Sequence, residues 1–379
     1  MFRNKLVGGV MMVAGTSIGA GMLAMPITAA KIGFAMSIAV LCLIGIVMGI
    51  SAYLMSKIYE ATNSDSTVSK LAGDILGRTW QLLAGGAILM LLYSLIVAYL
   101  SGLSGTLSSL SGINYSSVVI LLSLILFVSL AISDKLFDIY NRVALLIKGF
   151  FLVLIVWVLY PHISYGNLLS SNEFNSDYNP LVVLPIFVTS FGFHGGIPFI
   201  FKFFERDKMA FNKAVFLGVL TTLSVYVVWL IFSFGVLHQQ TIISSDLSGF
   251  IDALNKSVQS ETFNKSVSVF TVLAILTSLF GVAAGLFDFI HESLNDNNRF
   301  KSRVMVSGLV FCIPMVVSIT GKGLFIKALG FAGVALTIIA IFIPCMICFK
   351  KRLSHPVILW FCMILGIATV VGELMKNLQ

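Results

Sequence analysis

The run Gly15-Thr16-Ser17-Ile18-Gly19-Ala20-Gly21 places three glycines and two hydroxyl residues inside a long apolar segment, and Pro26 follows it. Each glycine weakens a helix, and the proline adds a break. At membrane depth such a break survives only where it lines a cavity or binds something, because lipid offers no partner to a freed N–H or C=O. The chemistry available to it is recognition by backbone. A half-helix N-terminus, with free N–H groups and partial positive charge, suits a carboxylate. The carbonyls of the opposite half-helix suit an ammonium group. A second run, Thr189-Ser190-Phe191-Gly192-Phe193-His194-Gly195-Gly196-Ile197-Pro198, repeats the pattern. Thr16 aligns with Thr189, Ser17 with Ser190 and Gly19 with Gly192, and each run ends in a proline. Together the two breaks read as a receptor for a zwitterionic amino acid. Thr16, Ser17, Gly19, Ala20, Gly21, Ser190 and Gly192 form its backbone-reading part.

Side chains near the second break add candidates. Phe191 and Phe193 flank it, to stack on a substrate ring, and Phe199 is placed as a gate. The plainer alternative for each, in a chain with 31 Phe, is lipid contact or core packing. His194 is an ionisable group near mid-membrane, which makes it a functional candidate. It is suited to bond a substrate hydroxyl or indole N–H, or to pass a proton. Its structural alternative is a hydrogen bond to the broken backbone.

Lys148 stands in Leu145-Leu146-Ile147-Lys148-Gly149-Phe150-Phe151. By count it lies about seven residues, or about 10 Å, into its span. A lysine at that depth must be paired, hydrated or neutral, and one that can become neutral can carry a proton. The alternative is snorkelling to the inner interface. Asp288 and Glu292 are four apart on one helix face. Asp288 is the candidate partner of Lys148 in proton coupling, and Glu292 reads as solvated. Tyr93 and Tyr99, six apart, point in different directions.

These residues need elements to hold them. The chain has 379 residues, 58% hydrophobic and 11% charged, whereas soluble domains carry about 25% charged residues. Apolar runs of about 20 residues recur throughout, which identifies an all-α polytopic membrane protein. Eleven spans are predicted, roughly 6–30, 33–60, 79–107, 116–132, 141–160, 181–203, 209–237, 266–292, 304–320, 324–349 and 355–375. The first is not a cleaved leader, since it is long, glycine-broken and followed by more spans. With the N-terminus inside, eighteen of the 24 Lys and Arg fall on the cytoplasmic side and six outside. An odd span count then puts the C-terminus outside. The net charge of +8 lies in short loops, where orientation and anionic lipid explain it, so nucleic acid is excluded as a partner. The five cysteines lie in spans, and Cys345-x-x-Cys348 beside Pro344 reads as packing. Gly45/Gly49 and Gly281/Gly285 read as close helix packing.

The breaks fall in spans one and six, five spans apart. An odd offset reverses direction through the bilayer, so residues 1–160 and 181–349 read as inverted repeats, with 355–375 as an additional span.

The run Gly15 to Pro26, Tyr99-Leu100-Ser101-Gly102 and Gly285-Leu286-Phe287-Asp288-Phe289 resemble the hydroxy/aromatic amino acid permeases, closest to the bacterial tyrosine- and tryptophan-specific members. The resemblance covers essentially the whole chain. It implies the LeuT-like fold, a 5+5 inverted repeat with helices one and six broken, of the amino acid–polyamine–organocation superfamily. It further implies proton-driven uptake of an aromatic amino acid, without choosing tyrosine over tryptophan. In proton-coupled relatives a lysine of span five takes the place of a sodium ion between spans one and eight, and Lys148 matches it. Thr277-Ser278 match the hydroxyl ligands of sodium-coupled relatives, and the family pattern makes Tyr99 pocket-lining.

The expectation is therefore a transporter, not an enzyme, that imports tyrosine first and tryptophan next by proton symport and alternating access. It would act as a monomer in the lipid bilayer, without cofactor or metal. A sodium-coupled or serine/threonine-type transporter of the same fold is the alternative. A membrane enzyme would need a nucleophile–base pair or metal cluster at bilayer depth, and the chain has no H-E-x-x-H or G-x-S-x-G. A channel filter is usually built by a symmetric oligomer, whereas the repeat favours a pocket within one chain.

Overall fold

The structure, a computed structural model, describes residues 5–62, 66–132, 134–170, 179–294, 299–321 and 323–378. Arg3 and Lys322 fall outside the described residues, as do the side chains of Lys135, Arg142, Glu292, Arg299 and Lys301. The described residues are overwhelmingly helical and contain no strand. In chain order the helices are α1 (Lys5–Ser17), α2 (Ala20–Ala29), α3 (Phe34–Thr62), α4 (Val68–Leu76), α5 (Arg78–Ser111), α6 (Tyr115–Ile132), α7 (Asp134–Leu159), α8 (Tyr165–Ser170) and α9 (Leu184–Ser190). They continue as α10 (Ile197–Phe203), α11 (Lys208–Val236), α12 (Gln239–Ile243), α13 (Leu247–Val258), α14 (Glu261–Leu294), α15 (Arg299–Thr320), α16 (Leu324–Thr337), α17 (Ile343–Lys351) and α18 (Pro356–Leu378).

Nine helical segments among the described residues are long and apolar enough to cross a membrane, and α1 with α2, bent by 55°, makes a tenth. Eleven were predicted. The difference lies in α7, whose apolar part among the described residues, Ile147–His162, is shorter than a full span. Its first half carries charge at Asp134, Lys135, Asp138 and Arg142.

Both predicted breaks are present, at matched residues. α1 ends at Ser17 and α9 ends at the aligned Ser190. After Ser190 a 3-10 turn over Phe193–Gly196 leads into α10. The prolines do not make the breaks. Pro26 lies inside α2, and Pro198 sits in the first turn of α10, where its missing N–H costs nothing. Gly19, with φ −152° and ψ −145°, interrupts the first span, whereas the second span leaves its helix at Phe191, with φ −96° and ψ 38°.

The broken helices sit at the core. α1 packs on α11, α2 on α9, α14 on α5 and α7, and α16 on α5 and α9. The expected glycine packing is corrected in part. A Cβ on Gly45 would meet the Phe191 ring at 3.5 Å, but a Cβ on Gly49, Gly281 or Gly285 would meet nothing within 4 Å.

Charges gather at the two ends of the bundle. At one end Lys5 bonds Glu205 at 2.5 Å, Lys208 bonds Glu60 at 2.6 Å and Lys57 donates to the Leu353 carbonyl. Glu205 is exposed, and the hydrogen bond from Lys5 holds its carboxyl below the usual value. At the other end Lys31, Lys327 and Glu373 each lie within electrostatic reach of Lys376. Burial, then the charge of Lys376, lowers Lys31 from its ordinary value, and Glu373 opposes this.

Candidate functional site

A helix that stops in the middle of a bundle leaves carbonyls without intrahelical partners. At the first break they are met by side chains from two other spans. The Lys148 ammonium donates to the Ile18 carbonyl at 2.8 Å, and its second contact is the Thr277 hydroxyl on α14 at 3.4 Å. Lys148 is only 5% exposed. It does not snorkel, and it binds α7 to the first break and to α14 together. The Tyr226 hydroxyl of α11 lies 2.7 Å from the Ser17 carbonyl and 2.6 Å from the Ser190 carbonyl. One phenol therefore touches the last helical carbonyl of both broken spans.

The facing half-helix begins at Ala20 with no side-chain cap. Its first N–H groups and positive dipole end point at the break, an arrangement that favours an anion. Two glycines allow the close approach. A Cβ on Gly21 would stand 2.8 Å from the Ser190 hydroxyl and 3.0 Å from the Ser190 Cα, and one on Gly19 would stand 2.5 Å from the Ser278 hydroxyl. Tyr99, 7% exposed, lies beside the Ser278 side chain and within electrostatic reach of Tyr226. The Phe191 ring meets Tyr226 edge-on at 5.5 Å. The first break, the second break, α5, α7, α11 and α14 thus converge on one buried region.

The predicted residues divide on this geometry. Ser17, Gly19, Ala20, Gly21, Tyr99, Lys148, Ser190 and Phe191 are gathered there. The hydroxyls of Ser17 and Ser190 turn back onto Val13 and Ile186 of their own helices, so the backbone carries the polarity of the breaks. Thr16 is exposed, and its hydroxyl bonds Met12 and Val13. Gly192 is exposed at the turn. Phe193 and His194 are buried behind it, with rings 4.4 Å apart. The backbone of Phe191 and Met48 lies nearest the His194 ring, yet neither ring nitrogen reaches hydrogen-bond geometry. Phe199 is 66% exposed on α10, which places it away from the buried region and gives it no gating contact there. Asp288 is exposed and lies eleven residues beyond Thr277 on α14, about 16 Å along the axis, so it stands apart from Lys148. Tyr93 points elsewhere, donating to the Leu309 carbonyl of α15.

Sequence reasoning missed Tyr226. The signal was available. A tyrosine at the centre of a long apolar span is too deep for the interfacial belt, and a buried phenol requires a partner.

The Thr277 contact is long, and a neutral hydrogen-bond partner contributes about 0.5–1.5 kcal/mol. Thr277→Val, which keeps the shape, is therefore expected to lower stability by about 0.5–1.5 kcal/mol. The unfolding temperature in detergent measures this, and an unchanged value would remove the Thr277 hydroxyl from the hold on Lys148.

Comparison with known proteins gives one consistent result. The family model described as the tryptophan/tyrosine permease family matches residues 2–371. The tyrosine-specific transport system 1 of Haemophilus influenzae is 31% identical, over 93% of this chain and 90% of its own. The tryptophan-specific transport protein of Pseudomonas aeruginosa is 29% identical, over 100% and 96%. The low affinity tryptophan permease of Escherichia coli K12 is 30% identical, over 93% and 89%.

Proposed function

The chain belongs to the tryptophan/tyrosine permease family, a family of transporters and not of enzymes, and from that premise we propose that it imports an aromatic amino acid by proton symport. Tyrosine is the first choice and tryptophan the second. Relatives named for each substrate match over nearly the whole chain. The chain works as a monomer in a bacterial inner membrane, with its N-terminus cytoplasmic and C-terminus periplasmic. Its eleven spans form a LeuT-like 5+5 inverted repeat that alternates access to the site between the breaks. The matched helix ends at Ser17 and Ser190 support that repeat.

The observation that carries the reading is the bond from Lys148 to the Ile18 carbonyl. A titratable ammonium is held on the cut end of a broken span, where substrate-reading backbone lies one residue away. Loss of its proton removes the positive charge and leaves a weaker, neutral N–H donor at Ile18, which loosens the break and links proton movement to the substrate site. The same contact favours protons over sodium, because a fixed ammonium already serves the carbonyl and the Thr277 hydroxyl.

In this reading the substrate carboxylate lies at the N-terminus of α2, and free carbonyls take its ammonium. Phe191 and Tyr99 face the ring. His194, buried with both nitrogens unpartnered, reads the ring hydroxyl or indole N–H. His194→Phe is accordingly expected to raise the preference for phenylalanine over tyrosine by about tenfold, the scale of one neutral hydrogen bond of about 0.5–1.5 kcal/mol. Competition binding measures the ratio, and an unchanged ratio would assign His194 to packing.

The overall test is uptake of radiolabelled tyrosine and tryptophan into proteoliposomes, preceded by a thermal-shift screen of the twenty amino acids. Saturable uptake that rises with an inward proton gradient, and is competed by aromatic amino acids, is expected. Uptake indifferent to both would sink the proposal, and uptake driven by sodium alone would replace its coupling ion.

A further inference from the structure

Tyr226 does more than fill the core. Its hydroxyl approaches two carbonyls, those of Ser17 and Ser190, at 2.7 and 2.6 Å. A phenol has one proton to donate. The two carbonyls therefore share one proton, which points at one of them or is divided between both, so neither contact is a full hydrogen bond while the other is. A small rotation of the O–H moves the stronger bond from one break to the other. The ring itself is anchored. It is fully buried and held edge-on by Phe191, so the proton moves while the oxygen stays.

We propose that Tyr226 is a positioning residue for transport: its single proton tethers one break at a time, and the tether passes between α1 and α9 as the two broken spans move. The inference rests on the transport reading above and adds to it the element that links the breaks. Interfaces that change between two packings are bistable rather than continuously deformable, and one proton between two acceptors is such an element.

The test uses the full-length protein with two substitutions. Tyr226→Phe removes the hydroxyl and keeps the ring. Tyrosine binding is expected to stay within about threefold while turnover falls at least about tenfold, a split a packing defect would not produce. Replacement of Tyr226 by p-aminophenylalanine supplies two N–H protons, enough to hold both breaks at once. Binding should again persist, with turnover below wild type. Hydrogen exchange without substrate gives an independent arm: amides of both breaks, near Gly19 and Phe191, should exchange faster in Tyr226→Phe. Full turnover in either variant, parallel loss of binding and turnover, or unchanged exchange at one break would overturn the proposal. Should Tyr226→Phe not fold, the amino variant decides by itself. Wild-type protein that transports no aromatic amino acid would instead defeat the transport reading, and the exchange arm would still judge the tether.

Discussion

Lys148→Met and Lys148→Arg are both expected to abolish accumulation of substrate against its gradient, for different reasons. Methionine keeps much of the side chain's bulk but has no ammonium, so the Ile18 carbonyl loses its donor. Arginine keeps the positive charge but is not deprotonated in proteins, so it cannot release a proton during the cycle. A purely structural cation would be rescued by arginine, and a proton carrier would not. The effect is all-or-none because accumulation against a gradient needs a group that both takes and releases the coupling proton, and neither variant supplies one. In proteoliposomes with an inward proton gradient, neither variant should raise internal tyrosine above the external level. Exchange of tyrosine across the membrane, which needs no net proton movement, should survive better in the arginine variant. Wild-type accumulation by Lys148→Arg would remove proton transfer from Lys148.

Gly21→Ala is expected to damage the site far more than Gly19→Ala. The neighbours decide it. The new methyl at position 21 would lie 3.0 Å from the Cα of Ser190, so α2 and α9 must separate. At position 19 the tight neighbour is the Ser278 hydroxyl at 2.5 Å, and the next atom is 3.8 Å away. Rotation of one side chain relieves that clash. Overpacking a tight interior typically costs about 1–3 kcal/mol. For Gly21→Ala it falls on the contact that joins the two breaks, so transport should drop at least about tenfold, with a lowered unfolding temperature in detergent. Gly21→Val should be worse, and Gly19→Ala should retain most activity. Equal behaviour of the two alanine variants would show that the contact between Gly21 and Ser190 does not govern transport.

These two predictions rest on features that differ in how far the chain discloses them. The breaks were legible because their cause is local. Glycine and hydroxyl clusters weaken a helix wherever it lies, and Ser17 and Ser190 end their helices at the positions the repeat aligned. The burial of Lys148 was legible by counting along an apolar run. The role of the prolines was misread for the same reason: a residue that breaks a helix interior is harmless in a first turn, and only the observed ends say which applies. The pairing of Lys148 with Asp288 failed because spacing along α14 gives a shared face and not a partner in another helix. Phe199 failed because helical spacing cannot say which side of α10 meets the core.

By itself, then, the sequence determined the membrane class, the two broken spans and the buried lysine. Each follows from composition or periodicity over a few consecutive residues. What only the tertiary structure decided is what the broken ends touch. The lysine reaches a carbonyl 130 positions away, and Tyr226 reaches carbonyls 209 and 36 positions away. Orphan backbone groups must be satisfied, but that requirement names no donor. The packing of α7 and α11 against the breaks chooses it.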